Sequence, residues 1–356
     1  MCADFRGQRG KTSSPMTDAK LRHFIANFSF NNCKHGSQGF QRILLQLFGY
    51  VGHGKSSFVN TCIMVWRNSS YVNYASAAGS HESHTTQRLT YPLTENLTLV
   101  DNRGCSAMNY YETGEIFAQL ANLLPLDKPV GWSKGFTLAD RIVEAEVHVQ
   151  TSDFIVPIFV YSVRKSMAPG ELEELKEMLK TCRNLTGVAP IVVLSHKDDE
   201  RLHKVQIMFR DIGIENFFSL ENYTEKRNKY SQDTHESVIR FLFEVVKDAE
   251  FRVNDKRDPD AEMAERKFSV LKYIHEREIK IHREGLERRR AEENKEHERE
   301  LRRIREEAER QRQEDRQRHE EGMRRMEEEF KQQCLRDDIV HEHLMHFLQK
   351  KKKKKK

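Results

Sequence analysis

The chain has 356 residues, 37% of them hydrophobic and 32% charged, which is long enough for two ordinary domains but too polar for one fully globular body. Its formal net charge is +5, yet 350–356 are seven consecutive lysines; without them the balance is five less seven, or −2, which argues against nucleic acid as a partner. Six scattered cysteines without a C-x-x-C pair suggest neither a disulfide framework nor structural zinc, and no apolar run nears the ~20 residues of a spanning helix, so a reducing, cytoplasmic setting is expected.

Residues 1–40 are polar, with Phe24, Phe28 and Phe30 as a short aromatic cluster, and read as a flexible N-terminal arm. From 41 to 253 apolar runs alternate with helical stretches. Strands are expected at 42–48, 89–93, 97–100, 154–161, 191–194 and 216–219, and helices at 55–66, 113–123, 170–185 and 233–246. Only Thr94, Glu95 and Asn96 separate the second and third strands, too few for a helical crossover, so that pair must be an antiparallel hairpin. One antiparallel edge on a mainly parallel sheet is the small-GTPase arrangement, and the expected fold is a Ras-like three-layer α/β P-loop NTPase.

After a linker at 254–260 containing Asp258-Pro259, residues 261–349 are dominated by Glu, Arg and Lys and read as a long charged helix, on the order of 130 Å if unbroken at ~1.5 Å per residue. Opposite charges three and four apart, as in Glu298-Arg302 and Glu306-Arg310, support it. Ala291, Leu301, Ile304 and Ala308 are too sparse for sustained heptads, so a single helix and a weak coiled coil both remain open. Phe268, Leu271 and Ile274 at one end, and Val340, Leu344, Phe347 and Leu348 at the other, form stripes that need cover. His341, His343 and His346 are spread around the axis and read as surface histidines. The lysine tail at 350–356 reads either as a contact for anionic lipid or as a translated poly(A) run.

The chemistry concentrates in LFGYVGHGKSSFVN. Gly49-Tyr-Val-Gly-His-Gly-Lys-Ser matches G-x-x-x-x-G-K-[ST] in full and stands after an expected strand and before an expected helix. Gly49, Gly52, His53 and Gly54 would turn backbone N–H groups towards a phosphate. Lys55 would reach the β and γ oxygens, Ser56 would ligate Mg²⁺, and Ser57 continues the first helical turn. Asp101-Asn102-Arg103-Gly104 has the D-x-x-G form of a second switch, with Asp101 on Mg²⁺ through water and the Gly104 N–H at the γ-phosphate. Thr85 or Thr86 would complete the metal shell as the first-switch threonine. Cys105 stands where Ras-like enzymes place a water-orienting glutamine; His53 and Arg103 are the polar residues nearby, and slow intrinsic turnover is expected.

In IVVLSHKDDE a carboxylate would read the guanine N1 and N2 hydrogens: Asp198 in the register Ser195-His196-Lys197-Asp198, or Asp199 in the register His196-Lys197-Asp198-Asp199. Adenine lacks that pair of donors and would leave the acid unpaired, which favours GTP and GDP over ATP. The segment 217–222, FSLEN at its end, would be the last base-contacting loop.

GKSSFVN, L-S-H-K-D and F-S-L-E-N-Y together resemble the interferon-induced protein 44 family of GTP-binding proteins, over about 41–246. The resemblance implies a cytoplasmic, infection-induced protein that binds GTP, with Gly54, Lys55, Ser56 and Asp198 on the family's nucleotide motifs. Two departures stand out: about 40 residues cannot hold that family's additional N-terminal domain, and the long C-terminal helix is more similar to the immunity-associated and dynamin-like GTPases, whose helical extensions mediate self-assembly. The leading expectation is a GTP-binding protein that couples nucleotide state to a partner or a second copy. The alternatives are a degenerate P-loop domain serving as a scaffold for helix self-association, and an ATPase.

Overall fold

The computed structural model of the chain describes residues 17–75, 87–106, 110–129, 136–167 and 169–353. Six strands form one sheet: β1 (Arg42–Phe48), β2 (Leu89–Thr94), β3 (Leu97–Asp101), β4 (Asp153–Ser162), β5 (Ile191–Ser195) and β6 (Phe217–Leu220), in the order β2-β3-β1-β4-β5-β6. Every pairing is parallel except β2 with β3, the expected hairpin. β4 and β5 are buried along their whole length, as parallel strands covered on both faces must be, whereas the edge strand β2 is only half-buried.

Alternation along the strands sorts the core into two layers. Leu45 and Leu47 of β1 and Val156, Ile158 and Val160 of β4 face α1 (Asp18–Ala26), α2 (Lys55–Arg67) and α7 (Gln232–Arg252), meeting Phe58 and Phe241. Phe48, Phe159 and Tyr161 face the other way, into a cluster with residues of α3 (Tyr110–Leu120), α4 (Phe136–Ala145), α5 (Pro169–Thr186) and α6 (Leu202–Asp211). This is a Ras-like α/β fold.

Residues 17–40 depart from the flexible arm expected of them. Helix α1 packs on α7 through Phe24 and Phe243, whose rings lie 5.1 Å apart, and Ile25, Phe28 and Phe30 are buried. Arg22 donates to the carbonyls of Val65 (3.0 Å) and Trp66 (3.1 Å) in the last turn of α2, adding to the Asn68 N–H that Val65 already accepts. Residues 1–16 of that arm, and 354–356 of the lysine tail, lie outside the described residues.

The long helix α8 (Pro259–Lys353) starts inside the expected linker. Asp258 Oδ1 accepts from the N–H groups of Asp260 (3.0 Å) and Ala261 (3.2 Å), a side-chain cap with Pro259 at the first helical position. The first compact unit, Met1–Ile279, includes these opening turns. Their buried stripe is Met263, Arg266, Val270 and Ile274, so Phe268, expected to be covered, lies on the opposite face and is 68% exposed. The second unit, Lys280–Lys356, is described over 280–353 as one helix with side chains that are almost all exposed. Pairs such as Arg302–Glu306 (3.0 Å) decorate it and add little each.

A charge lies between the layers. Arg88 is fully buried, just before β2, and its guanidinium donates to Asn102 Oδ1 (3.0 Å), Gln46 Oε1 (3.2 Å), Asn122 Oδ1 (3.1 Å) and the carbonyls of Gln119 (3.0 Å) and Leu124. Burial brings its pKa down to about 9, against the opposing pull of Asp153 and Asp127. Asn122 donates in turn to Asp153 Oδ2 (3.1 Å), so that carboxylate is reached through an amide. The network joins the β2 edge, β1, the end of β3 and the end of α3. Arg88→Met should strand several buried acceptors at once and lower stability by about 3 kcal/mol or more, measured by denaturant unfolding against wild type.

Candidate functional site

The carboxyl ends of β1, β3, β5 and β6 converge on the N-terminus of α2, the position where open α/β sheets bind ligands. Gly49, Gly52 and Gly54 all take positive φ, 137°, 74° and 95°. At Gly49 the demand is absolute, because a Cβ there would stand 2.6 Å from the Val160 carbonyl oxygen. Gly54 is the N-cap of α2 and brings no side-chain acceptor, and no acid lies in the first turn. The first-turn N–H groups and the positive end of the helix dipole are therefore left for an anion.

Lys55 turns back into this loop. Its buried amine donates to the carbonyls of Gly49 (3.2 Å) and Tyr50 (3.0 Å), and burial lowers its pKa while Asp101 and Cys105 oppose the shift. An arriving phosphate would add a further counter-charge to that of Asp101. Ser56 Oγ donates to Asp101 Oδ2 at 2.7 Å, placing two hard oxygen donors side by side, a set that suits Mg²⁺ completed by water and phosphate. Gly104 lies so close that a Cβ on it would be 2.6 Å from Lys55 Nζ. Ser57 is half-buried, its carbonyl accepting from Thr61 Oγ1 (2.7 Å). Thr85 and Thr86 lie outside the described residues.

Two polar neighbours are structural. The His53 ring packs against Tyr50 (5.1 Å) and Tyr161 (5.0 Å), and its Nδ1 accepts from the Ser162 N–H at 3.3 Å. Cys105 is fully buried, with its thiol pushed up to about 12 by burial, and its backbone bridges the loop: Val51 N–H donates to its carbonyl (2.8 Å) and its N–H to the Gly49 carbonyl (3.2 Å). The residue after Gly104 thus braces the loop.

No protein-family model matches this sequence, and no curated protein does. Among solved structures, a crystal structure of Toc33 from Arabidopsis thaliana in complex with GDP and Mg²⁺ is similar at 13% identity, over 66% of this chain and 92% of that chain, with a TM-score of 0.37. A family two carbohydrate esterase from Clostridium thermocellum in complex with cellohexaose is similar at 14% identity, over 59% and 65%, with a TM-score of 0.21. Both scores fall below 0.5, so the case for a ligand rests on this chain's own residues.

Beyond the P-loop, a pocket of about 290 Å³ opens at the ends of β5 and β6, lined in part by Lys197, Asp198, Glu221, Asn222 and Arg227. Two bonds tie it to the P-loop: Ser195 Oγ donates to the His53 carbonyl (3.2 Å) and Asn222 Nδ2 to the Gly54 carbonyl (3.4 Å). His196 adopts a left-handed conformation (φ 64°) that ends β5, and its Nδ1 lies 3.7 Å from Glu221 Oε2. The two adjacent aspartates then part company. Asp198 lines the pocket, half-exposed, whereas Asp199 accepts from Arg201 Nε (2.7 Å), Nη2 (3.0 Å) and backbone N–H (3.2 Å), which hold its carboxyl far below the usual range. Burial pushes the Glu221 carboxyl up, but His196, Arg227 and the Asp198 N–H outweigh it and the net shift is downward.

Glu221 Oε1 and Asn222 Oδ1 are buried acceptors that receive no hydrogen bond from the described residues. Sequence reasoning reached this segment only as a strand-end loop and passed over Arg227; the basic run Lys226-Arg227-Asn228-Lys229 beside two expected strand ends was the available signal.

His53 titration carries a sign. Burial first, then Lys55 and Lys165, lower its pKa from 6.5 to about 3. The unfolded chain therefore binds the proton that the folded chain refuses, and stability is lost as pH falls from about 6.5 towards 3. His53→Phe, which keeps a ring between the tyrosines, should flatten that acid limb by up to ~1.4 kcal/mol per pH unit, compared with wild type by denaturant unfolding between pH 7 and 4.

Proposed function

We propose that the chain binds guanine nucleotides with Mg²⁺ and hydrolyses GTP slowly. The observation that carries the reading is the uncapped N-terminus of α2, wrapped by three positive-φ glycines, with the buried Lys55 amine turned into the loop. The first-turn N–H groups would hold phosphate oxygens, Lys55 would bind and neutralise their charge, and Gly104 would bring its N–H beside the Lys55 amine. Ser56 and, through water, Asp101 would hold Mg²⁺, which when bound supplies charge neutralisation to the phosphates.

Guanine is favoured over adenine because the pocket tied to the P-loop is rimmed by acceptors: Asp198, Glu221 Oε1 and Asn222 Oδ1. Guanine offers the N1 and N2 donors such a rim needs. Asp198 is the base-reading acid in this proposal, since Asp199 is committed to Arg201. Slow turnover follows from Cys105, whose buried thiol cannot orient water as a glutamine would. The resemblance to the interferon-induced protein 44 family, taken alone, extends the proposal to a cytoplasmic role in the response to infection.

A second reading, a scaffold, is favoured by the exposed Met323, Met326, Phe330, Leu335, Ile339 and Leu344 on α8. These would be covered in a self-associated or partner-bound helix. Light scattering of the full chain with and without nucleotide addresses it.

Equilibrium titration of the full chain with fluorescent GDP, GTP, ADP and ATP, each with Mg²⁺, should show guanine-selective binding. Lys55→Ala should abolish it, and tight binding by that variant would sink the site assignment. Asp198→Ala should narrow the guanine preference about tenfold, while an unchanged preference would move the base elsewhere.

A further inference from the structure

The loop between β6 and α7 is fastened at its base and charged at its tip. Tyr223 OH accepts from the Ser231 N–H (2.8 Å) and donates to the Ser231 carbonyl (3.3 Å), and the Tyr223 N–H donates to Thr61 Oγ1 on α2 (2.9 Å). Thr224 and Arg227 exchange backbone hydrogen bonds of 3.0 Å each, which fixes where the Arg227 side chain departs. From that turn the guanidinium reaches across the pocket. Its Nη2 donates to Asp198 Oδ2 at 2.8 Å, and its Nη1 lies 3.1 Å from Glu221 Oε2.

Both carboxylates belong to the pocket rim, and Glu221 is only 7% exposed in its side chain. A guanidinium presents a planar pair of N–H donors to a carboxylate. The guanine edge presents the same pair, N1–H and N2–H, in the same plane and at the same spacing. Arg227 divides its pair between Asp198 Oδ2 and Glu221 Oε2, and the Asp198 oxygen that it holds is one of the two that the guanine edge would need.

We propose that Arg227 is an internal competitor for the guanine edge: it occupies Asp198 Oδ2, one of the two oxygens that the base would use, and must swing away for the base to be read. This rests on the reading of the pocket as a guanine site. The fastened stem lets the tip release Asp198 without unseating the loop, because the anchors are Tyr223, Thr61 and Ser231, none of which touches the two acids. Arg227 is itself 57% exposed in its side chain, so a withdrawn guanidinium is rehydrated. The device lowers affinity for the nucleotide and leaves the phosphate contacts alone.

The test uses the full chain as wild type, Arg227→Ala and Lys226→Ala, titrated with fluorescent GDP and ADP in Mg²⁺, with a thermal melt of each variant to establish that it is folded. Lys226 removes the same charge from the same turn but does not line the pocket. Arg227→Ala should bind GDP about two- to fivefold more tightly, the scale of an exposed ion pair, and Lys226→Ala should not. If wild type prefers GDP and Arg227→Ala binds it equally or more weakly, the competition is overturned and the guanine reading stands. If both Arg227→Ala and Lys226→Ala tighten alike, the effect is general charge and the competition is again overturned. Should wild type and Arg227→Ala both fail to distinguish GDP from ADP, or bind neither, the guanine reading falls and takes this proposal with it.

Discussion

The buried amine of Lys55 is the constraint around which the site is built. An ammonium out of reach of water needs acceptors on every side it can present, and the chain supplies them by bending Gly49 and Tyr50 so that both carbonyls point inward. That bend is available only because Gly49 has no Cβ to strike the Val160 carbonyl. Strand pairing then brings the Asp101 carboxylate near enough to act on the charge, since Leu47 of β1 lies in register with Asp101 of β3. One side chain thus ties the curvature of the loop to the Ser56–Asp101 pair.

Arg88 plays the corresponding part on the far side of β3. Its acceptors include Asn102, the residue after Asp101, and Asn122, beyond the end of α3. A shift in the Asp101-to-Gly104 segment would have to break or carry this network with it, because the amides have no water to turn to. The end of β3 is therefore held by two anchors, Ser56 on Asp101 and Arg88 on Asn102.

Much of this was legible in the sequence where the information is local. The P-loop pattern, the short hairpin turn and the apolar runs of β1, β4 and β5 each depend on neighbours within a few residues, and the fold class followed from them. What escaped depends on distant partners. Helix α1 looked like a polar arm because its cover is supplied by Phe243 and the end of α2. Helices α4 and α6 are short; α6 has only Val205 and Phe209 as buried anchors, too little for a periodic signal. Nothing local marks Arg88, whose burial exists only once Gln46, Asn102 and Asn122 meet. The two registers of the Asp198-Asp199 pair could not be separated by motif, since the distinction lies in Arg201 and in the shape of a pocket made by β6.

The left-handed backbone at His196 carries a consequence for the identity of that residue. Glycine would adopt this conformation at ease, while a residue with a Cβ gives up on the order of 1 kcal/mol to do so. The side chain reaches Glu221, just past the end of β6, at 3.7 Å. The two strand ends are already paired, Ser195 beside Leu220, so the histidine adds a side-chain link between the turn that leaves β5 and the acid that follows β6. Glycine in its place would relieve the backbone and remove that link, leaving the corner joined by strand pairing alone.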